Sequence, residues 1–188
     1  HKFPWAMTLG AIQDNSLIYE MTSKIAEDCK RMGIYWDFAP VVDVNTNPAN
    51  PIIGNRSFGS DINNVIAKGL AYAQGLQDNG VLASMKHFPG HGDTDTDSHL
   101  DLPVVSHNLE RLNSVELAPF KALLDKKIGG VMVAHLYVPA LEKQSGIPAS
   151  VSYDIITNLL KKSYQYNGLI ITDALNILLG GNGSATAY

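Results

Sequence analysis

The chain has 188 residues, a net charge of −4, 45% apolar residues and 17% charged residues, the proportions of an ordinary soluble globular domain with a sizeable core. No basic stripe stands out to attract nucleic acid, and no apolar run approaches the ~20 residues that a membrane span needs. A single cysteine, Cys29, excludes an intrachain disulfide.

Two kinds of segment alternate along the chain. Residues 15–32 carry Leu17, Ile18, Met21, Ile25, Ala26 and Cys29 close to a 3.6-residue period, and Gly33 follows where a helix C-cap belongs. Cys29 is expected to be a buried small hydrophobe of that helix. Residues 34–44 (IYWDFAPVVDV) then form a short apolar, β-branched run. The spacing of Val65, Ile66, Leu70, Ala73 and Leu76 predicts a helix over 63–79, ended by Gly80, before a second apolar run at 81–88. A third helix is expected over 109–126, kinked or broken at Pro119, and a third strand over 130–138. Ser152 is placed to cap a helix over 153–164, ahead of a strand at 168–172.

Near-continuous apolar strands predict a parallel sheet covered on both faces. Four alternations at βα spacing predict an α/β fold with right-handed crossovers. No linker divides the chain, so residues 1–188 are expected to form a single domain. No signal peptide is visible, but the chain begins at His1 without a methionine, and a missing upstream segment is expected.

The polar residues gather in the loops after the strands, where β/α barrels build their active sites. The densest run is Lys86-His87-Phe88-Pro89-Gly90-His91-Gly92-Asp93-Thr94-Asp95-Thr96-Asp97-Ser98-His99. A solvated acidic loop is one reading. A metal site is another, but Pro89, Gly90 and Gly92 deny His87 and His91 the helix that would make their i, i+4 spacing meaningful. The calcium-loop resemblance of Asp93, Asp95 and Asp97 fails at Ser98 and Val104, where Gly and Glu belong. The third reading is acid/base chemistry, in which Asp97 orients His99 and raises its basicity. Asp173 ends the buried run Gly168-Leu-Ile-Ile-Thr, as a pocket residue or as the cap of a following helix. Arg56, in Asn55-Arg56-Ser57-Phe58, is suited either to a ligand's hydroxyls or carboxylate or to a structural ion pair.

The run KHFPGHGDTDTDSH resembles the signature KHFPGHG-x(4)-DSH of bacterial family 3 glycoside hydrolases of the β-N-acetylglucosaminidase type. Asp37-Phe-Ala-Pro-Val-Val-Asp43-Val resembles the family's second strand, Asn55-Arg-Ser-Phe58 its arginine loop, Ala134-His135 a histidine-bearing strand end, and Ile171-Thr-Asp173-Ala-Leu-Asn its nucleophile motif. The resemblance extends from Pro4 to Asn176. It departs at Asn55, where relatives often have Glu, and at Ile177, where they usually have Met.

The resemblance implies a TIM-type (β/α) barrel and a retaining glycosidase that removes terminal β-linked N-acetylglucosamine, with peptidoglycan-derived fragments as the expected source. It implies Asp173 as nucleophile, His99 as general acid/base and Asp97 as its partner. Substrate-binding roles fall on Arg56, Lys86, His87, Asp43 and His135. It implies neither cofactor nor metal, and it leaves water and phosphate open as acceptors. A His–Asp pair then replaces one of the two carboxyl groups that retaining enzymes ordinarily use. Similarity to longer, multidomain members favours a bacterial periplasmic or envelope setting over the cytoplasm.

Relatives carry a first strand with a sugar-gripping acid, expected ahead of Phe3, and further βα units after the nucleophile. A closed barrel takes ~250 residues, so the barrel is expected to be incomplete and its open strand edges to favour self-association. A carbohydrate-binding fragment without turnover is the competing function.

Overall fold

The computed structural model describes residues 3–94 and 102–175. Its helices begin and end on local chemistry. In α2 (Asn15–Arg31) the Asp14 carboxylate accepts the Ser16 N–H at 2.9 Å. At its end, Gly33 adopts φ +75° while the N–H groups of Ile34 and Gly33 return to the carbonyls of Cys29 and Lys30, satisfying groups that a helix end leaves open. Helix α3 (Ile62–Gln77) ends the same way at Gly80 and is opened by Asp61, which accepts the Asn64 N–H at 2.7 Å. The two helices pack closely because residue 75 has no side chain: a Cβ there would lie 1.9 Å from Thr22 Oγ1.

The expected helix over 109–126 is two helices, α4 (Leu109–Ser114) and α5 (Ala118–Leu124), and Pro119 lies in the first turn of the second, where its missing N–H costs nothing. The helix after Ser152, α6 (Asp154–Ser163), is wound with π-type hydrogen bonds, and the Ser152 hydroxyl accepts the Ile155 N–H at 3.1 Å. A short α1 (Ala6–Gly10) was not foreseen. Cys29 is half-buried against the core rather than fully enclosed.

Four parallel strands stand side by side in chain order: β1 (Trp36–Asp37), β2 (Leu82–Phe88), β3 (Gly130–Val133) and β4 (Leu169–Thr172). Chain order without reversal is the progression of a barrel, whereas doubly wound sheets reverse direction at a switch point. The sheet is thus a partial TIM-type barrel. Strand β1 is far shorter than the expected 34–44. Pro40, which has no N–H to give, interrupts the regular ladder; the Ala39 and Pro40 carbonyls still accept the Ser84 and Lys86 N–H groups, and Val41 bridges Lys86. Past β3 the chain leaves the sheet, and Tyr137 bridges Val104 instead.

The core lies between the sheet and its helices. Every residue of β3 is buried, and Ala83, Ser84, Met85, His87 and Phe88 of β2 are buried with it. Phe88 meets Phe120 of α5 edge to face at 5.3 Å between ring centroids, a geometry that adds to the burial of both rings. Among the described residues, no helix is long and apolar enough to cross a membrane.

Candidate active site at the strand ends

Parallel strands present all their C-terminal ends on one side, and those sequence-predicted residues that the structure describes collect there. Register sets their heights: Lys86, Met132 and Ile171 are aligned across β2, β3 and β4, as are Phe88, Val133 and Thr172. His135 and Asp173 come two and one residues later. Between Lys86 and Phe88 the pairing with β3 slips by one residue, and such a bulge re-aims side chains. Both Lys86 and His87 thereby belong to the site.

Asp43 organises this end of the molecule from inside. It is 0% exposed. Its carboxylate accepts the His91 N–H at 2.7 Å, the His87 N–H at 3.1 Å and the His87 ring Nδ1–H at 2.7 Å. Burial opposes its charge, but the His87 ring and the hydrogen bonds outweigh that effect and hold the carboxyl below the usual carboxylate range. Asp43 is therefore enclosed, and it connects to Arg56 through the His87 ring. The next turn needs a glycine for the same closeness: a Cβ on residue 92 would meet the Val44 carbonyl oxygen at 1.9 Å.

The tautomer of His87 follows from its partners. Nδ1 faces a carboxylate and must carry the proton, whereas Nε2 lies 3.2 Å from the Arg56 Nη2, a donor, and must accept. Arg56 sits on a 3₁₀ turn (Gly54–Arg56), where its Nη1 also donates to the Ile52 carbonyl at 3.1 Å. With both ring nitrogens taken, His87 has no lone pair left for a metal. Burial lowers the pKa of Lys86, and the Arg56 charge adds to the effect, against the pull of Asp173, Asp37 and Asp43. His91 is likewise lowered, by burial first.

Asp173 follows β4, half-buried, with its N–H bonded to the Val133 carbonyl at 3.1 Å. Its Oδ1 accepts the Ala174 N–H at 2.8 Å. His135 has protein partners at both ring nitrogens: Ser150 Oγ at 2.6 Å from Nδ1, and the Asp173 and Ala174 carbonyls at 3.1 and 3.2 Å from Nε2. Asp97 and His99 lie outside the described residues.

Sequence reasoning missed several supports. Asn50 donates to the His91 carbonyl at 2.8 Å and accepts the N–H groups of Ile52 and Ile53, folding the long loop after β1. Its only signal was the loop's richness in Asn. Ser57 donates to the Asp43 carbonyl at 2.7 Å. Asp93, His107 and Glu116 bring donor atoms within 4.8 Å of one another. The Arg111 guanidinium, 3.2 Å from Glu116 and 3.9 Å from Asp93, supplies the counter-charge there, so the group is an ion-pair network.

A buried carboxylate–histidine–arginine chain, a lysine and a carboxylate at the end of a strand suit a neutral, hydroxyl-rich ligand and attack by a carboxylate. Comparison with known proteins identifies the family. The Glycosyl hydrolase family 3 N terminal domain matches residues 1–182. Beta-hexosaminidase A of Pseudoalteromonas piscicida is 38% identical over 188 residues, which is 93% of this chain and 31% of that protein. Beta-hexosaminidase LpqI of Mycobacterium tuberculosis is 39% identical over 178 residues, 92% of this chain and 45% of that protein. The structure of a family 3 β-N-acetylglucosaminidase from Paenibacillus sp. str. FPU-7 superimposes with a TM-score of 0.90 at 43% identity, covering 94% of this chain and 34% of that one. The chain thus spans less than half the length of these relatives, and over that span it belongs to glycoside hydrolase family 3.

Proposed function

We propose that this chain carries the catalytic face of a retaining β-N-acetylglucosaminidase acting on terminal β-linked N-acetylglucosamine, including that of peptidoglycan-derived fragments. The observation that carries this reading is the convergence of Asp173, Lys86, His87 and Arg56 at one end of the sheet.

In this mechanism Asp173 attacks the anomeric carbon with Oδ2, while the Ala174 N–H holds Oδ1. The leaving oxygen takes a proton from His99, oriented by Asp97. Water, deprotonated by the same imidazole, then releases the sugar from Asp173 with net retention. Arg56 and Lys86 bind the hydroxyls and the ring that bears the N-acetyl group, and His87, with its ring between Asp43 and Arg56, holds the guanidinium in place. Lowering of the Lys86 pKa by burial, with Arg56 adding to the effect, keeps its ammonium in an environment where each hydrogen bond to a ligand counts for more. Phosphate in place of water at the second step would give the sugar phosphate as product.

Chromophore release from an aryl β-N-acetylglucosaminide by this chain and by its Asp173→Ala variant tests the reading. Turnover that disappears in the variant supports it. Equal turnover in both would reject the nucleophile. No turnover in either, with sugar binding retained, would favour the competing reading of a binding fragment.

A further inference from the structure

The strongest unexplained feature is the buried contact between His135, 3% exposed, and Ser150, 4% exposed. Ser150 lies in the 3₁₀ turn Ala149–Val151, which is tied to the chain beyond β3 by the Ala149 N–H bonded to the Leu136 carbonyl at 2.7 Å. Across the ring, Nε2 faces the carbonyl oxygens of Asp173 and Ala174. Carbonyls only accept, so Nε2 must carry a proton. The neutral ring then has a lone pair at Nδ1, and the Ser150 hydroxyl donates to it.

The Asp173 carbonyl that His135 holds and the Ala174 N–H that holds Asp173 Oδ1 belong to one peptide group. The contacts therefore form a line: Ser150 O–H to His135 Nδ1, His135 Nε2–H to the 173 carbonyl, and the 174 N–H to the carboxylate. Each donor polarises the next. Resting on the reading of Asp173 as nucleophile, we infer that Ser150 and His135 are positioning residues that fix the peptide presenting this carboxylate. The serine selects the tautomer. Without it, the ring can shift its proton to Nδ1 and turn a lone pair towards two carbonyl oxygens.

The test isolates nucleophilic attack by labelling the chain with 2-acetamido-2-deoxy-5-fluoro-β-glucosyl fluoride, whose fluoride needs little protonation to leave. Mass spectrometry measures the rate and position of labelling. The expected result is label on Asp173 in the wild type, about tenfold slower in Ser150→Ala, for the loss of one buried hydrogen bond. Ser150→Thr keeps the hydroxyl and His135→Gln keeps a donor towards the carbonyls. Both should label within about threefold of wild type, which a requirement for packing alone would not produce. Histidine ¹⁵N shifts of the folded wild type should give the Nε2–H tautomer for His135. Asp173 labelling at an unchanged rate in Ser150→Ala, or an Nδ1–H tautomer, overturns the relay alone. Wild-type label on another carboxylate, or no label, overturns the nucleophile reading and the relay with it.

Discussion

Replacing Asp43 with Asn changes one atom and removes the acceptor on which the loop after β2 depends. Three donors converge on this carboxylate: the backbone N–H groups of His87 and His91 and the ring of His87. An asparagine offers one oxygen to them and turns an NH₂ towards the remainder. At least one buried N–H loses its partner, at about 1–3 kcal/mol, and the other bonds lose their charge assistance. We expect a total loss of about 3–5 kcal/mol, a large part of the ~5–15 kcal/mol that a domain commands. Urea unfolding followed by fluorescence measures it as a lower midpoint at constant slope. The acid limb gives a second signature. Because the folded pKa lies below the ordinary 3.8, the stabilisation is complete above 3.8 and is lost as pH falls through the lower folded value. The variant should therefore lack that part of the wild-type decline. A loss below about 1 kcal/mol with an unchanged acid limb would refute this account of Asp43.

Phe120→Ala removes one ring of the edge-to-face pair with Phe88, and calorimetry should show a loss of about 3–5 kcal/mol. Gly92→Ala puts a methyl 1.9 Å from the Val44 carbonyl, so the variant should melt well below wild type and bind sugar more weakly. Lys86→Met should abolish sugar binding by titration calorimetry yet raise the melting temperature at pH 7, because burial holds the folded pKa of this lysine below 10.5. The sign follows from linkage: between the folded and unfolded values the unfolded chain binds more protons, so wild-type stability rises with pH across that window and the variant's does not.

What could be read without coordinates was what repeats or what punctuates. The helix spacing of Leu17, Ile18, Met21 and Ile25 and the stops at Gly33 and Gly80 emerge in the structure because periodicity and positive φ are local constraints. The apolar run 34–44 misled because β-propensity does not register that Pro40 breaks a ladder that its neighbours could extend. The candidate site divides the same way. Lys86, His87 and Asp173 stand out as polar residues at strand ends and Arg56 in the long loop after the first, whereas Asp43 comes from the family resemblance. What each one touches depends on pairs far apart in sequence, such as Asp43 with His91 and His135 with Ser150, and no local signal marks a serine as a tautomer selector.

The two histidines show what that non-local chemistry achieves. His87 is protonated at Nδ1 because a carboxylate lies there and an arginine opposite, whereas His135 is protonated at Nε2 because carbonyls lie there and a hydroxyl opposite. Neither ring keeps a nitrogen available for proton transfer. Each orients a charged neighbour instead, Arg56 in one case and the peptide bearing Asp173 in the other. Acid/base work then falls to another group, the part that the resemblance assigns to His99. A site built in this way separates orientation from proton transfer, so His87→Ala and His135→Ala should lower the rate without moving the pH optimum. Substitution at His99 should move it, and pH–rate profiles of the three variants distinguish the two kinds of histidine.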